Sequence, residues 1–120
     1  MDNVSMGAME ERFAQLIWDN EPIGSGELCR LALDKLGWKK STTYTVLKRL
    51  CDRGIFQNVQ GTVSSRMSKE ELRTAQSRQF VDSAFAGSLP AFLAAFTGRK
   101  KLSESDVREL EALIRQQRKE

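Results

Sequence analysis

The segment 38–54, W-K-K-S-T-T-Y-T-V-L-K-R-L-C-D-R-G, constrains the fold of this chain more than any other part of it. Thr43, Leu47 and Leu50 recur at the spacing of a helix that buries one face, and Ser41 is predicted to cap its N-terminus. Hydroxyl groups, a phenol ring and cations then point outward or lie at the edge of the buried face. These residues are Lys40, Thr42, Tyr44, Thr45, Lys48 and Arg49.

A helix with this outward face suits the major groove of DNA. Phosphates bind cations and helix N-terminal amides, and base edges pair with Thr, Lys or Arg side chains. The pattern therefore predicts a recognition helix that inserts residues 41–49, starting at Ser41, into the groove. The predicted groove contacts are Thr42, Tyr44, Thr45 and Lys48, and the predicted phosphate contacts are Lys39, Lys40, Arg49 and Arg66.

The charge distribution also indicates that the part of the chain around the predicted recognition helix binds nucleic acid. The whole sequence has a net charge of only +3. Residues 39–66 carry six basic residues and one acid, whereas residues 1–38 carry three basic residues and seven acids. A basic patch beside an acidic body is typical of nucleic-acid binding. A solvated cationic helix face with no ligand is the alternative that the charges alone leave open.

The segments before the recognition helix complete a helix-turn-helix. Apolar residues at helical spacing predict a helix over 8–18, which ends before Pro22. Ile23 follows as a very short strand, and Ser25 is predicted to cap a second helix over 26–36. A short turn containing glycine joins this helix to the recognition helix, which is the helix-turn-helix arrangement.

A β-hairpin is predicted after the recognition helix. Segment 55–59 forms one strand, Gln60-Gly61 the tight turn and segment 62–67 the return strand. Ile55 and Val59 are expected to pack on the core while the polar tip contacts DNA. The hairpin would thus be a wing beside the recognition helix. The alternative role, covering one edge of the core, is compatible with this one.

The C-terminal third consists of predicted helices with a large apolar surface. A long helix spans about 69–86, a short one spans 89–96 with Pro90 in its first turn, and Ser103 caps the last. So much apolar surface in about fifty residues indicates a dimer interface, the alternative being a helical core packed against the winged helix. The predicted interface residues are Phe80, Phe85, Phe92, Leu93, Phe96, Leu110 and Ile114.

The composition argues against an enzyme, a metal site and a membrane protein. The 120 residues include no histidine, no glycine-rich phosphate loop and no paired nucleophile and base, so no enzyme, cofactor or metal site is predicted. Cys29 and Cys51 lack C-x-x-C spacing and are expected to be buried free thiols. No stretch is apolar enough to insert into a membrane and no signal peptide is evident, so a cytoplasmic location is expected.

The predicted fold is mainly α with a small β-hairpin, a winged helix-turn-helix followed by a C-terminal helical dimerisation region. Residues 1–7 would form a flexible tail. Residues 8–68 would form the winged-helix DNA-binding domain, and residues 69–120 the helical dimerisation region.

Four motifs resemble the penicillinase-repressor family, which includes the methicillin-resistance and copper-homeostasis repressors. They are L-I-W-D at 16–19, the segment 38–54, F-A-G-S-L at 85–89 with F-L-A-A-F at 92–96, and L-S-E-S-D-V-R-E-L at 102–110. The resemblance spans roughly residues 8–117. It implies a winged-helix homodimer that represses transcription from palindromic operators, here of a resistance or stress-response operon.

The sequence departs from this family in ways that bear on regulation. Copper-responsive members carry a cysteine-rich motif near the C-terminus, whereas no cysteine follows Cys51 here. Members that respond to β-lactams are cut after an asparagine that precedes a phenylalanine, and the corresponding bond here is Ala95–Phe96. A regulatory protease acting at this bond would therefore meet alanine instead of asparagine. Arg66 stands about where the family often has an aromatic residue in the wing.

The sequence analysis therefore favours a homodimeric repressor that binds double-stranded operator DNA. Two other classes stay open. A ligand-gated regulator would need a pocket between the winged helix and the C-terminal helices, where Phe80, Phe85 and Phe92 could line it. A winged helix used only for protein–protein contact would show no salt-dependent affinity for DNA.

Overall fold

The structure is a computed structural model that describes residues 4–118. Over that range the chain is mostly helical, with one small antiparallel sheet, which confirms the predicted fold class. The elements in chain order are α1 (Ala8–Asn20), β1 (Ile23–Gly24), α2 (Ser25–Leu36), α3 (Lys40–Asp52), β2 (Phe56–Val59), β3 (Thr62–Ser65), α4 (Lys69–Phe85), α5 (Leu89–Phe96) and α6 (Glu104–Gln117).

The chain divides into two compact units, Met1–Gln79 and Phe80–Glu120. The first unit thus extends past residue 68, where the sequence predicted a boundary, because the first turns of α4 pack on the winged helix. Leu72 of α4 is only 3 % exposed and belongs to the core. The winged-helix unit therefore includes α4 as far as Gln79.

The N-terminal segment differs from the predicted tail at Val4. This side chain is 6 % exposed and belongs to the core of the first unit. Its N–H donates to Gln79 Oε1 and its carbonyl oxygen accepts from Gln76 Nε2, each at 3.0 Å. Val4 is therefore held in place by α4. The sequence of the N-terminal segment did not indicate this contact. Residues 1–3 of the predicted tail lie outside the described residues.

Helices α1, α2 and α3, the first turns of α4 and the sheet enclose the core of the first unit. Phe13 and Ile17 of α1 are fully buried, as the helical spacing predicted. Two aromatic pairs close the edges of this core, Phe13 with Trp38 at 5.1 Å and Trp18 with Phe56 at 5.4 Å between ring centroids. The other fully buried large side chains are Leu28, Leu47, Leu50, Ile55 and Val63.

Neither Ser25 nor Ser41 caps a helix, so both cap predictions were wrong. The N-cap positions are Gly24 for α2 and Lys39 for α3, and neither makes a side-chain cap bond. Each helix begins earlier than the serine pattern indicated, which places both serines inside the first turn. The end of α2 follows the expected glycine rule, because Gly37 adopts φ of 70° and its N–H donates to Leu33 O at 3.0 Å.

The sheet has the strand order β1-β3-β2, and both pairings are antiparallel. Gln60 and Gly61 adopt φ of 51° and 86°, which confirms the predicted tight turn and fits the hairpin geometry with two left-handed residues. The expectation that Val59 packs on the core was wrong, since it is 57 % exposed. β2 begins at Phe56, which faces the core, so strand alternation turns Val59 to the other face.

The second unit contains the end of α4, α5 and α6. Ser88 and Ser103 cap α5 and α6 by accepting hydrogen bonds from Ala91 N–H at 3.1 Å and Asp106 N–H at 3.0 Å. The second cap confirms the prediction for Ser103. None of the described residues of this unit is buried. Within residues 4–118, no helix has the length and apolarity required to cross a membrane.

Candidate nucleic-acid interface

One face of α3 anchors the helix in the first unit. Leu47 is 2 % exposed, and Thr43 and Leu50 are fully buried, as the helical spacing predicted. The Thr43 hydroxyl donates to Lys39 O at 3.1 Å, so its one polar group is paired within the helix. Gly54 follows the helix with φ of 81° and lets the chain turn into the wing. The buried face of α3 therefore packs on the core of the first unit along most of the helix.

The other face of α3 brings the predicted DNA-contacting residues together on one surface. All of them are exposed, including the two lysines at the N-terminus of the helix. Helix N-termini favour anions because the first N–H groups have no partner within the helix and the positive end of the helix dipole lies there. The residues on this exposed face are Lys39, Lys40, Ser41, Thr42, Tyr44, Thr45, Lys48 and Arg49.

Two of these side chains make local bonds that leave them able to bind a further partner. The Thr45 hydroxyl donates to Ser41 O at 2.9 Å, so its oxygen still has lone pairs to accept from a base donor. Its methyl group stays available for a thymine methyl. Lys48 pairs with Asp52 at 3.1 Å, but both side chains are largely exposed, and such pairs contribute little. A phosphate or base acceptor can therefore compete for Lys48.

Tyr44 joins α3 to α2 and, through α2, to the wing. Its hydroxyl donates to Ser25 Oγ at 3.1 Å, and its side chain stays partly exposed. The backbone N–H of the same Ser25 donates to Gly61 O in the hairpin turn at 2.8 Å. Helix α3, the start of α2 and the hairpin turn are thus linked by consecutive hydrogen bonds, and the sequence did not indicate this linking role of Ser25.

Arg49 is already paired with a residue of α1. Its Nη1 lies 3.0 Å from Glu10 Oε2, and the Glu10 side chain is 18 % exposed. The Gly7 N–H donates to the other carboxylate oxygen at 3.0 Å, and this bond and the Arg49 guanidinium lower the pKa of Glu10 despite partial burial. Glu10 therefore orients a predicted phosphate contact. Sequence reasoning missed this role, although a glutamate in the first turn of α1 was visible.

Arg53, to which the sequence analysis assigned no role, is a half-buried cation at the C-terminal end of α3. Its Nη1 donates to Ser5 O at 2.9 Å, so it ties the end of α3 to the N-terminal segment. Arg66 is exposed and lies just beyond the last pair of the hairpin, Phe56 with Ser65. The structure therefore places Arg66 at the end of the wing opposite the turn, and the turn itself carries no cation.

The cysteines show no sign of a metal site. Both thiols are free, with Cys29 buried and Cys51 half-buried, as predicted for core thiols. Burial, and then the neighbouring Asp52 carboxylate, raise the pKa of the Cys51 thiol, which makes it less reactive. Within residues 4–118, no group of cysteine and acidic side chains is arranged to hold a metal ion.

The predicted dimer-interface residues all lie on the second unit. Phe80, Phe96 and Ile114 are 53 %, 66 % and 55 % exposed, and the other members of the set are half-buried. Phe80, Phe85 and Phe92 pack edge to face with centroids 5.5–6.0 Å apart. The residues of the predicted cleavage bond, Ala95 and Phe96, are exposed in the last turn of α5.

A helix-turn-helix followed by a two-stranded hairpin, whose strand β3 also pairs with the short strand β1 before α2, defines the winged-helix class of protein. The family model described as penicillinase repressor matches residues 6–116, which is most of the chain. The chain therefore belongs to the penicillinase repressor family, as its motifs indicated. This family consists of regulatory repressors and not of enzymes. No curated protein matches the sequence significantly.

Proposed function

We propose that this protein is a homodimeric transcriptional repressor that binds palindromic operator DNA through its winged helix. The observation that carries the proposal is α3, which is anchored by a buried face and exposes hydroxyls and cations on the other. Membership of a repressor family supports the regulatory role. The charge of the segment 39–66 supports DNA as the partner, because phosphates dominate affinity for nucleic acid.

Two groups of residues would have different tasks on DNA. Lys39, Lys40, Arg49 and Arg66 would bind phosphates, which fixes the position of the helix without reading sequence. Thr42, Tyr44, Thr45 and Lys48 would face base edges in the major groove, with Ser41 at the entry of the helix. Arg49 fits a positioning role best, because Glu10 already holds its guanidinium at the edge of the helix.

The apolar surface of the second unit supports the proposed homodimer. α5 and α6 line an apolar groove of about 340 Å³, to which Phe92, Leu93, Phe96 and Leu110 all contribute. Apolar surface of this extent on a small helical unit favours self-association. A two-fold dimer presents two recognition helices in opposite directions, so its operator would be palindromic, with half-sites roughly 34–36 Å apart.

Proteolysis at Ala95–Phe96 would release the repressor from DNA. Cleavage there would separate α6 from the preceding helices and remove much of the proposed dimer face. The bond lies within α5, where Thr97 Oγ1 donates to Leu93 O at 2.8 Å, so a protease would have to unfold the last turn. We include a regulatory protease among the proposed partners because β-lactam-responsive members of the family are cut at the corresponding bond.

Binding to DNA across a salt series tests the proposed function. The purified protein would be titrated onto palindromic and scrambled duplexes, and the mass of each complex measured. Two protomers on each palindrome, with affinity that falls steeply with salt, are expected. Absence of binding to every duplex would instead favour a winged helix used for protein contact.

A further inference from the structure

A cavity of about 410 Å³ lies within the first unit, and none of its lining residues belongs to α3. It is bounded by one face of α1 and one face of the first turns of α4, together with Met6. The α1 residues are Ala8, Glu11, Arg12, Gln15 and Trp18, and the α4 residues are Lys69, Leu72, Arg73 and Gln76. Within each set, most residues have another member three or four positions away, so each set lies along one side of its helix.

The floor of this cavity is apolar and held in place. Leu72 is 3 % exposed and belongs to the core. The Trp18 indole N–H donates to Met67 O at 3.1 Å, and its ring packs on Phe56. Lys69 Nζ bridges the two walls by donating to Gln15 Oε1 at 2.6 Å. The cavity is therefore a preformed hollow of a size that suits a small ligand.

The rim of the cavity has an excess of positive charge. Arg12, Lys69 and Arg73 line it together with a single acid, Glu11. Arg12 donates to Lys35 O at 3.1 Å. Within residues 4–118, by contrast, the Arg73 guanidinium has neither a hydrogen bond nor an ion pair. A guanidinium with all its donors available above an apolar floor matches a carboxylate in geometry and charge.

We infer that this cavity binds a small organic anion, a carboxylate carried on an apolar ring. Arg73 would hold the carboxylate, Lys69 would add a second positive charge, and the ring would lie against Trp18 and Leu72. From the sequence, Phe80, Phe85 and Phe92 could line a ligand pocket, but none of them lines this cavity. No residue of this site belongs to the exposed face of α3, so binding of the anion is independent of the proposed binding of DNA.

Naphthalene-2-carboxylate is a suitable probe, and the neutral naphthalene-2-carboxamide is its matched control. Both would be titrated to millimolar concentration against the full-length protein labelled with ¹⁵N. The indole N–H signal of Trp18 reports the cavity, and that of Trp38, which does not line it, is the internal reference. The Arg73→Gln variant tests the proposed anchor, and Arg78→Gln removes an exposed arginine of the same helix that does not line the cavity.

The carboxylate is expected to shift the Trp18 signal in a saturable way and to leave the Trp38 signal unchanged. Arg73→Gln should weaken this binding about tenfold, while Arg78→Gln leaves it unaltered. The unperturbed remainder of the spectrum verifies that each variant is folded. Equal binding of the carboxamide, equal losses in both variants, or no shift at Trp18 would each overturn the inference.

Discussion

The ion pair between Glu10 and Arg49 allows a quantitative test of how α1 stabilises α3. One Glu10 oxygen accepts from the Gly7 N–H and the other from Arg49 Nη1, each at 3.0 Å. In Glu10→Gln the amide oxygen can keep only one of these roles and the negative charge is lost. In Glu10→Ala both bonds are lost. The two variants thus separate the charge from the hydrogen bonds.

The expected losses follow from the exposure of the two side chains. Arg49 is 47 % exposed, so solvent screens the pair and Glu10→Gln should cost about 0.5–1 kcal/mol in the free energy of unfolding. Glu10→Ala also removes the acceptor at the start of α1, which adds about 0.5–1 kcal/mol. Glu11→Gln is the matched control, because Glu11 shares the first turn of α1 and its interaction with the helix dipole.

The loss in the free energy of unfolding caused by Glu10→Gln should become smaller as pH falls. The folded-state pKa of Glu10 lies below its ordinary value of 4.5, chiefly because of the Gly7 N–H and with help from Arg49. The ionised carboxylate therefore stabilises the folded state. This stabilisation is complete above the unfolded-state pKa and disappears as pH falls through the lowered pKa. The difference between Glu10→Gln and the wild type should shrink correspondingly in acid.

Urea denaturation at a series of pH values measures these differences. Trp18 and Trp38 both belong to the first unit and are half-buried, so tryptophan fluorescence reports its unfolding. Variants and wild type are compared at one protein concentration, since dimerisation adds to apparent stability. A loss in Glu10→Gln that is no larger than in Glu11→Gln, or that does not change between neutral and acidic pH, would refute the reasoning.

Three further predictions concern DNA binding, the core and the dimer. Lys40→Ala should weaken binding to specific and random duplexes alike and lower the salt slope by about 0.9, whereas Thr45→Ala should relax base preference. Equal losses for both variants on both duplexes would contradict this division. Leu50→Ala should lower the free energy of unfolding by about 2–5 kcal/mol in urea denaturation, because Leu50 is fully buried, and a negligible loss would contradict the packing. Phe96→Asp should give monomers in analytical ultracentrifugation with unchanged circular dichroism, and a persistent dimer would contradict the proposed interface.

The sequence alone determined those features that depend on neighbours along the chain. Helical spacing identified the buried face of α3 at Thr43, Leu47 and Leu50, since the period of a helix fixes which residues share a side. Gln60-Gly61 identified the hairpin turn, and Ser103 identified the start of α6. These signals are local, so no knowledge of the packed molecule was needed to interpret them.

Tertiary structure decided the features that depend on residues far apart in the sequence. Ser41 has the chemistry of a cap but lies inside the helix, because the path of the preceding turn sets where α3 begins. The partner of Arg49 is 39 residues away, and the cavity joins α1 to α4. Composition can indicate that cations and apolar residues are present, but only the packing of helices determines which of them meet, because each contact requires two chain segments to approach in space.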